Sequence, residues 1–222
     1  MKKVLLTAVY FIIPALLFSQ PFTGSYSVHI DDAKRNQQVD LNITVMNEKS
    51  CLEIITEERA GKFRTIINEK DQSMTLVTEK EGANKFAMIR RMSEAGVLPD
   101  AEPKEIKIMT TNERKIIDGF SCFKVIVETD DVNNEIWLTL DVKLNYADVF
   151  GIMNRASGPA ANLLQRMKNI KNLKGAPLEM TITDKKLPDE ITHITLKNIK
   201  AENPDASVFD LSGYQVMDLR NK

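Results

Sequence analysis

Between Thr23 and Asp141 apolar and polar residues alternate with a period of two, broken by short polar turns, a pattern that consecutive β-strands produce and helices do not. Val39, Leu41, Ile43 and Val45 alternate with Asp40, Asn42 and Thr44, which predicts a strand with one buried face and one wetter face. Similar segments cover Gly24 to Ile30, Cys51 to Thr56, Phe63 to Asn68, Met74 to Thr78, Lys85 to Arg90, Glu105 to Thr110, Phe120 to Glu128 and Asn134 to Asp141. The gaps are short and polar, as at Asn47-Glu48-Lys49 and Asp130-Asp131, so neighbouring strands are expected to pair as an antiparallel meander. Ile54-Ile55, Ile66-Ile67 and Ile136-Trp137-Leu138 carry apolar residues on both faces, and a sheet of this kind needs cover on its second side.

That cover is expected from Tyr146 to Leu173, where the period changes. Tyr146, Val149, Phe150 and Met153 recur at helical spacing, Gly158-Pro159 interrupts, and Leu163, Leu164, Met167, Ile170 and Leu173 form a second stripe. Gly175 and Pro177 end the helical region, and alternation returns over Leu178 to Thr183 and Ile191 to Ile199.

The first twenty residues have a different character. Lys2 and Lys3 precede an apolar run from Val4 to Phe18 and then Ser19 and Gln20, the order of a cleavable secretory signal peptide. The run is shorter than the ~20 residues that span a bilayer and contains Pro14. Residues 1–19 are therefore expected to be removed, leaving 20–222 as a single exported domain, periplasmic or secreted. The first cysteine is Cys51, so no lipid anchor is expected at the new terminus. Loss of Lys2 and Lys3 takes the net charge from −1 to −3 with the two signs interspersed, which gives nucleic acid no basic face to bind. No second long apolar run predicts a membrane span.

In an exported chain Cys51 and Cys122 could form a disulfide closing a loop of about 70 residues, worth around 4 kcal/mol in the chain-entropy model. Two separate buried thiols are the other reading, since both lie in strand patterns. His29 and His193 are the only histidines and lack the local spacing of a zinc site. Asp31-Asp32, Glu57-Glu58 and Asp130-Asp131 are paired carboxylates at expected strand ends, where they read as solvated turn residues. No phosphate-cradling glycine loop or nucleophile elbow occurs, so neither a cofactor nor an enzymatic activity is expected. Methionine is abundant, and its flexible thioether suits either a gap in a core or a cavity wall that adapts to acyl chains.

Two stretches carry a resemblance. Lys115-Ile116-Ile117-Asp118-Gly119-Phe120-Ser121-Cys122-Phe123-Lys124-Val125 with Glu135-Ile136-Trp137-Leu138-Thr139, and Pro204-Asp205-Ala206-Ser207-Val208-Phe209 with Gly213-Tyr214 and Met217, resemble the motifs of an exported bacterial family known as domain of unknown function 4412. The resemblance implies a fold like that of periplasmic lipoprotein carriers. That is a mainly β chain whose curved antiparallel sheet, an incomplete barrel, is covered on its concave face by helices; read physically, the bulky Phe209 is expected to plug one end of it. An apolar cavity lined by Trp137, Phe150, Met153, Leu163, Leu164 and Met167 would then hold an acyl chain, a lipid or a lipoprotein. The alternative is an envelope protein-interaction module without a small ligand, recruiting a partner along a strand edge.

Overall fold

The computed structural model describes residues 21–33, 36–55, 61–80, 82, 84–94, 106–156, 170 and 173–220. The signal-peptide segment, Glu57-Glu58 and the stripe residues Leu163, Leu164 and Met167 lie outside them. The strands are β1 (Gly24–Asp32), β2 (Gln37–Met46), β3 (Lys49–Ile55), β4 (Gly61–Asn68), β5 (Ser73–Lys80), β6 (Phe86–Arg91), β7 (Lys107–Ile117), β8 (Phe120–Glu128), β9 (Val132–Thr139), β10 (Ala176–Asp184), β11 (Ile191–Lys200) and β12 (Gln215–Asp218). One helix, α1 (Tyr146–Ala156), is described between β9 and β10.

All twelve strands belong to one open sheet in the order β12-β6-β5-β4-β3-β2-β1-β11-β10-β9-β8-β7. The chain is thus mainly β, and the two ends of the sheet do not pair with each other. The meander expected from the short gaps holds from β1 to β6 and again from β7 to β9, and β10 and β11 continue it after the helical segment, but it breaks between β6 and β7, which stand second from one edge and at the other edge. The two halves join along one antiparallel seam, β1 against β11, where Val28 faces Leu196 and Ile30 faces Ile194. The sheet is also not wholly antiparallel, because β12 runs parallel to β6, with Met217 beside Met88. β7 extends beyond the predicted Thr110 to Ile117 and turns into β8 through Asp118 (φ 49°) and Gly119 (φ 85°), the left-handed pair that a tight two-residue hairpin requires. Asp31 and Asp32, expected beyond the end of a strand, are paired within β1.

Alternation gives the sheet a core side and an outer side. On the core side Tyr26, Val28, Leu41, Ile43, Leu52 and Ile67 join Ile136, Leu138, Met180 and Ile194 in one buried cluster. The helix supplies Tyr146, Val149, Phe150 and Met153 to the same cluster, the four positions its periodicity predicts. α1 starts where the Tyr146 N–H donates to the Gly175 carbonyl at 2.8 Å, and Asp148 places a carboxylate in its first turn. It contacts β3, β4 and β10.

The outer side of β3–β6 has a cover that the alternation did not reveal. A 3-10 turn over Ala206–Phe209 and the following residues bring Val208, Phe209, Leu211 and Tyr214 onto Cys51, Ile66, Val77 and Ala87. Phe209 therefore packs on the outside of the sheet and does not plug an end of a barrel. Arg64 pins this C-terminal strap: its guanidinium donates to the Val208 carbonyl at 2.9 Å and to the Tyr214 hydroxyl oxygen at 2.7 Å.

Candidate functional site

The core side is unevenly closed. Across one row of paired residues, Leu196, Val28 and Leu41 are fully buried, whereas Ile54 on β3, Phe63 on β4 and Phe86 on β6 are half-buried. Leu76 and its cross-strand partner Met88 are half-buried on the same side. Met217 of β12, beside Met88, is 45% exposed. These residues form an accessible apolar strip on the core side of β3–β6, continuous with the buried cluster and backed by the strap on the other face. The period-two pattern assigns each residue to a side correctly, but how deeply each is covered depends on what packs over it, and one strand's sequence does not carry that.

Of the residues expected to line a cavity, Phe150 and Met153 are together in the buried cluster, with the Phe150 ring centre 4.5 Å from that of Tyr146. Trp137 is only partly buried and packs against this cluster without joining it. It alternates with Ile136 and Leu138, so it lies on the outer face opposite Lys124 and Glu179. Lys115 Nζ sits 4.4 Å and Lys124 Nζ 6.0 Å from its ring centre, an arrangement in which the ring face attracts both cations. Lys115 pairs with Glu179, and Lys124 with Glu135 at 2.7 Å and Glu113 at 3.4 Å. The Glu135 hydrogen bond is the main reason that the Lys124 ammonium is held above its ordinary range.

Several polar groups sit inside the apolar cluster without hydrogen-bond partners. The hydroxyls of Tyr26 and Tyr146 are among them, and burial pushes the pKa of both far up, so they remain protonated at any physiological pH. Asn134, 1% exposed on the core side between Val127 and Ile182, has both side-chain amide atoms unpartnered.

Cys51 and Cys122 do not form a disulfide; of the two readings the structure has separate buried thiols. Cys51 lies under the strap and Cys122 packs with the main cluster on β8. Burial pushes the Cys51 thiol up to about 11 and raises that of Cys122 as well. At pH 8 neither thiol of the folded protein should react with a thiol-specific disulfide reagent, and both should react in denaturant without prior reduction. A denatured, unreduced sample that lacks titratable thiol would contradict this.

The groups singled out for chemistry have structural occupations. His29 Nδ1 is 2.8 Å from Asp40 Oδ1, and His193 Nδ1 is 3.2 Å from Thr181 Oγ1. Asp131 lies in the β8–β9 turn, where its carbonyl accepts from the Lys185 N–H and its carboxylate from Lys186 at 3.1 Å. No group of three or more potential metal ligands occurs among the described residues.

The strap carries most of the lowered carboxyls. Hydrogen bonds from Ser207 and Ser212 hold Asp205 and Asp210 below the usual range, and those from Arg220 bring Asp218 to about 2. Glu79 beneath the strap is lowered chiefly by its hydrogen bond to Lys85. A carboxyl lowered by folding stabilises the folded state above its unfolded value, about 4, and that support is lost as pH falls through the folded value. Between pH 5 and pH 2 the amides of residues 206–218 should therefore lose exchange protection before those of β1 and β2. Simultaneous loss in both regions would show that the strap is not a separate acid-sensitive unit.

A family model described as "Domain of unknown function (DUF4412)" matches residues 22–214. No curated protein matches the sequence. Two solved structures of PNGF-II are similar to the chain at 13% identity. The form in the C2 space group has a TM-score of 0.42 and aligns with 90% of this chain and 31% of that one. The P21 form has a TM-score of 0.41, with 88% and 32% aligned. The chain thus spans about a third of the length of the PNGF-II chains it matches. No helix among the described residues is long and apolar enough to cross a membrane.

Proposed function

The chain belongs to the family described as domain of unknown function DUF4412, and from that premise we propose that it is a non-enzymatic, exported binding protein of the cell envelope that carries or senses a hydrophobic ligand. The observation that carries this reading is the half-buried strip of Ile54, Phe63, Leu76, Phe86 and Met88, which continues the core into accessible apolar surface. Its methionine suits a wall that fits varied acyl shapes. Phe150 and Met153 form the deep wall in this proposal, which keeps Leu163, Leu164 and Met167 from the sequence reading, while Trp137, on the outer face, drops out of the lining.

A curved, incomplete barrel with its concave face covered by helices is part of the same proposal. The contacts of α1 support it. β4 and β10 are five strand spacings apart in the sheet, about 24 Å if it were flat. A helix of 11 residues is about 16 Å long and touches both, which favours a sheet that curls around it. The order of charged, apolar and small residues over 1–19 supports export to the periplasm or beyond.

The test is native mass spectrometry of the protein purified without detergent, with organic extraction of whatever is bound. A reproducible acyl-chain adduct is expected, and it should be lost on replacing Leu164 and Met167 with aspartate while the fold is retained. A bare polypeptide that stays bare after incubation with lipids would overturn the carrier reading. It would favour the second reading, an envelope interaction module, which finds its support in the free sheet edge at β7, where Ile108, Met109 and Ile116 are 44%, 54% and 76% exposed.

A further inference from the structure

We propose that the molecule held along the apolar strip is a long-chain carboxylate, and that its head is bound by the Arg90 guanidinium. The proposal rests on the carrier reading and specifies the ligand for that same site. β6 presents Phe86, Met88 and Arg90 on one side and Ala87, Ile89 and Arg91 on the other. The first set faces the core: Met88 pairs with Leu76, and Arg90 pairs with Met74, which itself stands opposite the core residue Ile67. The second set belongs to the outer face, where Ala87 lies under the strap and Arg91 donates to the Arg220 carbonyl at 2.8 Å. A single strand thus carries an apolar strip ending in a cation, with about 13 Å between the Cα atoms of Phe86 and Arg90.

Arg90 differs from the other arginines whose side chains are described. Arg64, Arg91, Arg114 and Arg220 all donate hydrogen bonds to carbonyls, a hydroxyl or a carboxylate. Arg90 is half-buried and forms no hydrogen bond or ion pair with a described residue; its Nε, like that of Arg64, is buried without a partner, but Arg64 is held by its other nitrogens and Arg90 is not. A partly desolvated guanidinium without an anion is unfavourable, and the group that best complements its planar fork is a carboxylate, which accepts two parallel hydrogen bonds. One guanidinium balances the single charge of a carboxylate, whereas a phosphate monoester would be left with a second charge against Leu76, Met74 and Met88. The apolar strip then accepts the chain.

Palmitate, palmitamide and hexadecyl phosphate share a chain length and differ in the head, so their affinities for the purified protein test the assignment. Palmitate should bind about tenfold or more tightly than palmitamide. Arg90→Gln should bring palmitate down to the palmitamide level while leaving palmitamide unchanged, and Arg90→Lys, which keeps the charge but loses the fork, should retain part of the difference. Equal affinities for palmitate and palmitamide in the unaltered protein would overturn the head-group assignment and leave the carrier reading intact. Tighter binding of hexadecyl phosphate than of palmitate would overturn the choice of carboxylate. Failure of all three probes to bind would overturn the carrier reading and this proposal with it.

Discussion

Replacing Gly175 with alanine is expected to destabilise the protein by about 3 kcal/mol or more, enough to lower the melting temperature by roughly 10 °C in a chain of this size. Two effects act at this position. Its φ of +105° is a conformation that a residue with a Cβ rarely adopts, and the added carbon would stand 2.6 Å from the Thr139 carbonyl oxygen, inside van der Waals contact. The obstacle is backbone of β9, so no rotamer change relieves it. Gly175 also presents the carbonyl that receives the Tyr146 N–H, so displacement of this residue disturbs the start of α1 and the start of β10 together. Gly119→Ala is the matched comparison: φ is +85° there, but a Cβ would meet nothing within 4 Å, so only the conformational cost of about 1 kcal/mol remains. Denaturant unfolding of the two variants should separate them clearly. Equal losses would mean that the Thr139 contact relaxes and that conformation alone matters.

Phe150→Ala should cost a similar amount or more, about 3–5 kcal/mol. The side chain is 1% exposed, its ring lies against Tyr146, and it sits in the cluster where α1 meets β3, β4 and β10. Truncation removes the transfer free energy of the ring and leaves a void that neither the sheet nor a helix pinned at Gly175 can close fully. The same variant bears on function. If the interior accepts acyl chains as proposed, a long-chain ligand should recover part of the lost stability in Phe150→Ala, since a molecule that binds only the folded state stabilises it. A loss below about 1 kcal/mol would show that α1 is not a structural part of the core.

The fold was largely legible because its main determinant is local. Strict alternation in Val39–Val45, in Leu178–Thr183 and around Ile136 assigns every side chain to a face, and the structure keeps those assignments. What alternation leaves undetermined is which strand lies beside which. Short gaps correctly gave the pairing from β1 to β6 and from β7 to β9, but nothing within β6 or β7 announces that the chain passes to the far end of the sheet between them, nor that β10 returns beside β9. The parallel strand β12 was missed for a related reason: it has four residues, all exposed, and owes its place to pairing with β6. Trp137 shows the limit of reasoning from residue type. A large aromatic in an apolar run suggested a cavity wall, yet its parity with Lys124 and Glu179 puts it outside under two lysines. Arg90 is the converse, since in sequence it only ends a strand. Its significance appears when strand parity and the partners of the other arginines are considered together.

The seam between β1 and β11 also bears on how the molecule assembles. Most strand pairs can zip up from contacts close in sequence, but Val28 cannot meet Leu196 until the chain has been made beyond β10. The first strand of the chain is central in the sheet, so a nascent molecule presents it with one long edge unpaired for most of synthesis. Closing the seam is then the slow, high-contact-order step that converts two locally formed halves into one cooperative unit. Until it closes, β1 is the part of the chain most open to capture by a chaperone or by another unfinished copy.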